Sequence, residues 1–150
     1  MWSDFCDCFL EGIPQMAIHF TINGDPIPKL RARITKGGWA YTPTKTKEYE
    51  ERIRWTIRGL GLHNKKFDKG TPLKLKVIFW LRKPKSVKRE FPVARPDVDN
   101  YSKAVMDAME GLLYDNDSAI VSSETIKLYA DEACEARTEV WVKEVEYNGL

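Results

Sequence analysis

The hydrophobic pattern of this chain follows two different periods, and each period predicts a different kind of element. Residues 17–23 and 73–81 alternate apolar and polar side chains, which is the two-residue period of a half-buried strand. Residues 120–130 and 136–147 predict two further strands, and the Gly37-Gly38 pair predicts a tight hairpin turn. The chain is therefore expected to build a β-sheet.

Two other segments carry apolar residues at the spacing of one helix face. The first covers residues 44–60, and Thr44 or Thr46 is expected to cap its N-terminus. The predicted buried face consists of Tyr49, Ile53, Ile57 and Leu60. The glutamates of this helix are expected at the surface, paired with basic neighbours, and they are Glu48, Glu50 and Glu51.

The second helix is predicted to begin after Asp99 or Asn100, because both residue types suit the N-cap position, and to end near Gly111. Its apolar positions share one face and are Tyr101, Ala104, Val105, Ala108, Met109 and Leu112. Lys103 and Asp107 fall on the opposite, polar side. They lie one turn apart, so Asp107 is expected to pair with Lys103.

The order of these elements predicts an α+β domain in which a mostly antiparallel or mixed sheet carries the helices on one face. The domain spans residues 17–150, and residues 1–16 form an extension of unknown role, either a docking helix or an unstructured leader. Cys6 and Cys8 in the extension are interpreted as ordinary thiols, since two ligands do not complete a zinc site. No apolar run approaches the length of about 18 residues that a membrane span needs. Three cysteines form no disulfide framework, which favours a reducing cytoplasm.

Charge is divided unevenly along the chain, although the formal net charge is only +2. Residues 1–96 hold 20 Lys and Arg against 9 Asp and Glu, whereas residues 97–150 hold 4 against 13. A basic part beside an acidic part suits a nuclease, in which one part holds phosphates and the other holds metal. The alternative is that the acidic half is an ordinary solvated surface.

Two basic stretches are the candidate DNA contacts. The first stretch holds Arg31, Arg33 and Lys36, and Trp39 and Tyr41 follow them. This pattern is typical of contact with a phosphate backbone and with an unstacked base. The second is a proline-containing loop that ends at the acidic segment and is expected at the mouth of the site. Either stretch alone is equally typical of an exposed loop. The predicted DNA-binding residues are Arg31, Arg33, Lys36, Lys85, Lys88, Arg89 and Arg95.

Acidic residues on both sides of the second helix form the candidate site. If the helix begins after Asp99, extended backbone turns the carboxylates of Asp97 and Asp99 to the same side. The helix N-terminus and the nearby Lys103 favour their ionised form, which Mg²⁺ and Mn²⁺ require. Asp115 and Asp117 follow the helix directly. The alternative is that these aspartates only cap the helix and form turns.

The same residues resemble the motif of the RusA-type Holliday-junction resolvases, a family of small phage and prophage endonucleases. The resemblance is carried by Asp97, Asp99, Asn100, Lys103, Asp107, Ala108 and the Asn-Asp-Ser-Ala-Ile segment at 116–120. The close match covers about a sixth of the chain, and a looser match extends back to the Pro-Ile-Pro-Lys and Tyr-Thr-Pro segments. In one departure, this chain has Asn116-Asp117 where the family usually shows an Asp-Asp pair, and Asp115 stands one position earlier.

The resemblance implies that Asp97, Asp99 and Asp117 are the catalytic metal ligands and that Lys103 is the essential lysine. Asp115 is the alternative third ligand. The residues expected beside these groups as supporting partners are Asn100, Asp107 and Asp115. The resemblance also implies a homodimer with one site in each subunit and four-way junction DNA as its partner.

The sequence therefore predicts an endodeoxyribonuclease that depends on Mg²⁺, or on Mn²⁺, and resolves Holliday junctions in recombination and repair. Its reaction would be paired hydrolysis of phosphodiester bonds. One rival is a non-catalytic junction-binding module in which the acidic cluster is structural. The other is an Asp-x-Asp metal-dependent transferase, which would need a donor-binding element; Gly37-Gly38 is the one candidate and is typical of a turn.

Overall fold

A computed structural model of the chain describes residues 17–132 and 134–145. Its strands and helices are, in order, β1 (Ile18–Asn23), β2 (Arg33–Ile34), β3 (Ala40–Tyr41), α1 (Thr44–Gly59), β4 (Leu73–Arg82), α2 (Val98–Met109), β5 (Ile120–Ala130) and β6 (Arg137–Glu144). Short 3-10 helices occupy Leu62–Lys65 and Asp117–Ala119. The predicted extension with Cys6 and Cys8, and positions 146 and 147 of the last predicted strand, lie outside the described residues.

Four strands form one mixed sheet in the order β1-β6-β4-β5. Strand β6 runs antiparallel to both of its neighbours, whereas β4 and β5 run parallel. Parallel neighbours need a crossover connection, and α2 lies in that crossover. Strands β2 and β3 form a separate hairpin around the predicted Gly37-Gly38 turn.

Both helices pack on the same face of the sheet and enclose the main core. Alternate residues of the strands point toward them, such as Phe20 on β1 and Val140 on β6, which are both buried. A smaller cluster of Ile78, Leu128 and Trp141 lies on the other sheet face. The predicted α+β class, with a mixed sheet and helices on one face, is confirmed. In the described part of the chain, neither helix has the length and apolar character needed to cross a membrane.

The structure corrects four details of α1. Pro43 occupies the N-cap position, and no side chain caps the helix. Thr46 is buried instead, where its hydroxyl donates to the Pro28 carbonyl at 3.2 Å. Leu60 follows the last helical residue and is exposed, so it does not extend the buried face. Glu50 is buried rather than at the surface, with 7% of its area exposed.

Helix α2 begins at Val98, which is earlier than predicted. Asp97 is extended and occupies the N-cap position, whereas Asp99 lies in the first helical turn. A carboxylate in the first turn is favoured by the helix dipole, which explains why the helix includes Asp99. The predicted extended arrangement of Asp97 and Asp99 is therefore wrong. Asp99 instead lies one turn before Lys103 along the same helix face.

Ile53 and Leu60 provide a paired test of the buried face of α1. Ile53 is 0% exposed and Leu60 is 60% exposed. We expect Ile53→Ala to lower the free energy of unfolding by about 3 kcal/mol, because it leaves a cavity in the core. Leu60→Ala is expected to change that free energy by less than about 0.5 kcal/mol. Urea unfolding followed by circular dichroism measures both, and equal losses would contradict the assigned face.

Candidate active site

Lys103 joins α2 to the segment that follows it. Its ammonium donates to Asp117 Oδ2 at 2.7 Å and pairs with Asp107 Oδ1 at 2.9 Å. Asp107 lies one turn further along α2, as predicted, and Asp117 lies in the 3-10 turn before β5. One ammonium thus holds together carboxylates from two separate segments.

The reversal of the chain after α2 brings Asp117 to this position. Gly111 has φ +83°, a conformation that side chains with a Cβ rarely adopt, and its N–H donates to the Tyr114 carbonyl at 2.7 Å. The Tyr114 hydroxyl donates to the Met106 carbonyl at 2.7 Å, which fixes the returning chain against α2. Asn116 then caps the next turn by accepting a backbone N–H bond at 2.9 Å. Asp117 is the first residue of that turn.

A second lysine extends the network to α1. Lys29 Nζ lies 3.0 Å from Asp107 Oδ2 and also forms an ion pair with Glu50 of α1. Asp107 therefore binds a different lysine with each of its carboxylate oxygens. Glu50, which is buried, needs such a cation, because an unpaired charge in the interior is strongly destabilising. The network links α1, α2 and the loop before β2.

Asp97 and Asp99 lie at the N-terminal end of α2, where both are exposed. Lys127 of β5 fixes the chain that leads to them, since its ammonium donates to the Ala94 carbonyl at 3.0 Å and to the Pro96 carbonyl at 2.9 Å. Neither aspartate has an ion-pair partner among the described residues. Their carboxylates therefore face solvent at a well-fixed helix end.

The remaining polar residues of the motif have different surroundings. Asn100 lies in the first turn of α2, and its carbonyl accepts the Lys29 N–H at 2.8 Å. Asp115 is exposed and forms an ion pair with Lys66, which holds the pKa of Asp115 below its usual range. The structure thus brings Asp117, and not Asp115, into contact with Lys103.

Three acidic side chains of the described residues place their oxygens within 4.8 Å of one another, namely Asp107, Glu110 and Asp117. This group contains Asp117 but neither Asp97 nor Asp99. Carboxylate oxygens are the donors that Mg²⁺ and Mn²⁺ prefer, so the donor chemistry fits a hard divalent ion. However, both oxygens of Asp107 already bind lysines, and Asp107 would have to release one to bind a metal.

The lysines and Asp107 stabilise one another in their charged forms. Burial alone would raise the pKa of Asp107, but hydrogen bonds from Lys103 and Lys29 outweigh it and hold that pKa below its usual value. Hydrogen bonds to Asp117 and Asp107 raise the pKa of Lys103 far above its usual value. Lys103 is therefore an ammonium at neutral pH, in contact with both carboxylates.

The predicted DNA-binding residues are all exposed and lie in two parts of the chain. The first part is the β2–β3 hairpin and the segment before it, with Arg31, Arg33 and Lys36. The second part is the loop between β4 and α2, with Lys85, Lys88, Arg89 and Arg95. That loop leads directly into Asp97, and Arg95 is its basic residue nearest in sequence to the N-terminal end of α2.

The supporting residues that the sequence did not indicate are Lys29, Glu50, Glu110 and Lys127. Their partners lie far away in sequence, such as the 21 positions between Lys29 and Glu50. One signal was available, because Glu50 shares the three- and four-residue spacing of the buried Ile53 and Ile57. A charged residue on a buried helix face indicates a partner of opposite charge.

The part of the chain from the end of β1 to near the end of β6 matches a known family. Residues 23–143 fit the profile described as "Endodeoxyribonuclease RusA". The chain belongs to the endodeoxyribonuclease RusA family. It is also 31% identical over 143 residues to the "Uncharacterized protein YqaN" of Bacillus subtilis (strain 168), with 85% of this chain and 96% of that protein covered. Membership of the RusA family implies a nuclease that acts on Holliday junctions.

The Asp107 network predicts a pH dependence of stability. Because the pKa of Asp107 is lowered on folding, its contribution is present above the unfolded-state pKa and is lost as the pH falls through the folded-state value. At pH 7, Asp107→Asn is expected to lower the free energy of unfolding by about 2 kcal/mol. The difference from the wild type should shrink in strong acid.

Urea unfolding at neutral and strongly acidic pH measures this difference. Asp115→Asn is the control, because Asp115 also pairs with a lysine but is exposed, and a much smaller effect is expected there. A destabilisation by Asp107→Asn that stays constant with pH would show that the carboxylate charge is not its cause.

Proposed function

We propose that this chain is a metal-dependent endonuclease that resolves four-way DNA junctions by paired hydrolysis of phosphodiester bonds. The observation that carries the proposal is the contact of Lys103 with Asp117, which joins the lysine and an acid from the two halves of the family motif. Family membership supports the substrate class. The uneven charge of the chain is consistent with it, because basic surfaces bind phosphates and carboxylates bind metal.

Asp97, Asp99 and Asp117 are the proposed metal ligands. Two features support this set over the alternative group with Asp107 and Glu110. Asp97 and Asp99 are exposed and without an ion-pair partner among the described residues, whereas Asp107 is bound by two lysines. When bound, Mg²⁺ or Mn²⁺ would lower the pKa of a water ligand and neutralise charge on the phosphate.

Lys103 is proposed to orient the attacking water or to stabilise negative charge that develops on the scissile phosphate. Both proposed roles use the ammonium form of Lys103, which the raised pKa favours. Asp107 restrains the ammonium, and Lys29 restrains Asp107 in turn. Such support matters, because a displacement of about 1 Å at a catalytic group can lower a rate by about 100-fold.

The two exposed basic parts are proposed to bind the phosphates of the junction arms. They lie before and after α1 in the chain, and the loop between β4 and α2 borders Asp97. A four-way junction with two-fold symmetry suits a protein of the same symmetry, so we propose a homodimer with one site per subunit. We also place the protein in the cytoplasm, with its DNA substrate.

Cleavage of a synthetic four-way junction tests the proposal. With Mg²⁺ the protein is expected to make paired nicks in the junction and none in a linear duplex, and EDTA should abolish them. Asp97→Asn and Lys103→Ala are each expected to lower the nicking rate by about 100-fold or more while junction binding remains. Binding without nicks in the wild type would favour a non-catalytic junction-binding module. An Asp-x-Asp transferase would instead bind a nucleotide or nucleotide sugar in a titration.

Glu110→Gln distinguishes the two sets of metal ligands. If Asp97, Asp99 and Asp117 bind the ion, Asp99→Asn should weaken Mn²⁺ binding by about tenfold or more, and Glu110→Gln should leave both Mn²⁺ binding and nicking close to the wild type. Isothermal titration with Mn²⁺ measures affinity independently of catalysis. The opposite ranking of the two variants would assign the ion to the group that contains Glu110.

A further inference from the structure

The β2–β3 hairpin, residues 33–41, exposes large apolar side chains that the proposed nuclease chemistry does not use. Trp39 is 79% exposed, Ile34 is 74% exposed and Tyr41 is 45% exposed. Each belongs to a side-chain type that normally gains stability by burial. Their exposure on one short hairpin indicates a binding surface rather than part of the core.

The hairpin holds Trp39 on an ordered turn. The Thr35 N–H donates to the Trp39 carbonyl at 2.9 Å, and the Trp39 N–H donates to Thr35 Oγ1 at 3.2 Å. The Gly38 N–H closes the turn with the Thr35 carbonyl at 2.9 Å, at a φ of +82° that suits glycine. Three hydrogen bonds thus fix the backbone that presents the indole.

The base of the hairpin is fastened beside the candidate active site. The Lys29 N–H donates to the Asn100 carbonyl in the first turn of α2 at 2.8 Å. The Leu30 N–H donates to Thr46 Oγ1 at 3.3 Å, and the Thr46 hydroxyl bonds the Pro28 carbonyl. The chain therefore leaves the N-terminal end of α2, next to Asp99, and continues into the hairpin three residues later.

The cations of the hairpin and of the segment just before it are available to a polyanion. Arg31, Arg33 and Lys36 are exposed and form no ion pair with any carboxylate of the described residues. Unneutralised arginine and lysine on the same short segment as an exposed aromatic ring provide the two contacts that single-stranded nucleic acid uses, to phosphates and to a base face. Base faces are covered in a continuous duplex and become accessible where stacking is interrupted, as at a branch point.

We propose that Trp39 stacks on an unstacked base at the branch point of the DNA junction, while Arg31, Arg33 and Lys36 bind the flanking phosphates. This inference rests on the proposed function, since it takes its substrate class from there. The hairpin then recognises the branch itself and places it beside Asp97 and Asp99. Stacking on an indole is tolerant of base identity, so the contact selects structure rather than sequence.

Trp55 offers a matched control on the same molecule. It is 68% exposed on α1, and its ring lies 5.8 Å from the Arg58 guanidinium, so it too is an exposed tryptophan beside a cation. The inference assigns the base contact to Trp39 because its hairpin is fastened to α2, which carries Asp99. Removal of the Trp55 side chain should therefore have no effect on the contact of the protein with the branch point.

Photo-crosslinking tests the contact directly. A junction that carries 5-iodouracil either at the branch point or within an arm is irradiated with the protein in EDTA, and the crosslinked residue is identified by mass spectrometry. The wild type is expected to crosslink through Trp39 at the branch-point position and not in the arm. Trp39→Ala should abolish this crosslink and weaken junction binding by about tenfold, whereas Trp39→Phe should retain most of both.

The outcomes separate this inference from the nuclease proposal. If Trp39→Ala crosslinks, binds and nicks like the wild type, or if Trp55→Ala causes the loss instead, the assignment to Trp39 is overturned. If the wild type never nicks a junction in Mg²⁺ but shows the Trp39 crosslink in EDTA, the nuclease proposal fails and the branch-point contact stands.

Discussion

Two lysines share the carboxylate of Asp107, and the arrangement of the site depends on that sharing. Lys29 reaches Asp107 from the loop before β2, and Lys103 reaches it from α2. Each charge has an opposite partner, which offsets the cost of removing it partly from water. Glu50 completes the compensation on the side of α1. Each lysine pairs with two carboxylates and Asp107 pairs with both lysines, so the network links the positions of all its members.

The parallel pairing of β4 and β5 gives this network its place in the fold. A crossover between parallel neighbours must pass over one face of the sheet, and α2 forms that crossover. The basic loop enters α2 at its N-terminal end, and the reversal at Gly111 leads back from its C-terminal end. Asp117, from the segment after the helix, thereby meets Lys103 and Asp107 of the helix, although Asp117 is 14 positions from Lys103 in sequence.

Local patterns were sufficient to predict the elements of this fold, because strand alternation and helix periodicity depend only on neighbouring residues. The start of α2 was predicted too late, since Asp97, Asp99 and Asn100 all suit an N-cap and the sequence does not rank them. The roles of Asp115 and Asp117 depend on the geometry of the Gly111 reversal. It turns Asp115 toward Lys66 and Asp117 toward Lys103. The helix spacing of Glu50 indicates that it needs a cation, but the choice of Lys29 is a tertiary contact that no local pattern indicates.

The double attachment of Lys103 also bears on the phosphate contact that we propose for it. The Lys103 ammonium contacts both Asp107 and Asp117 and offsets the repulsion between their carboxylates. Because Asp107 holds the ammonium independently, Lys103 keeps one carboxylate partner when it leaves Asp117. A lysine held by Asp117 alone would lose its last ion-pair partner on leaving that carboxylate, which is less favourable.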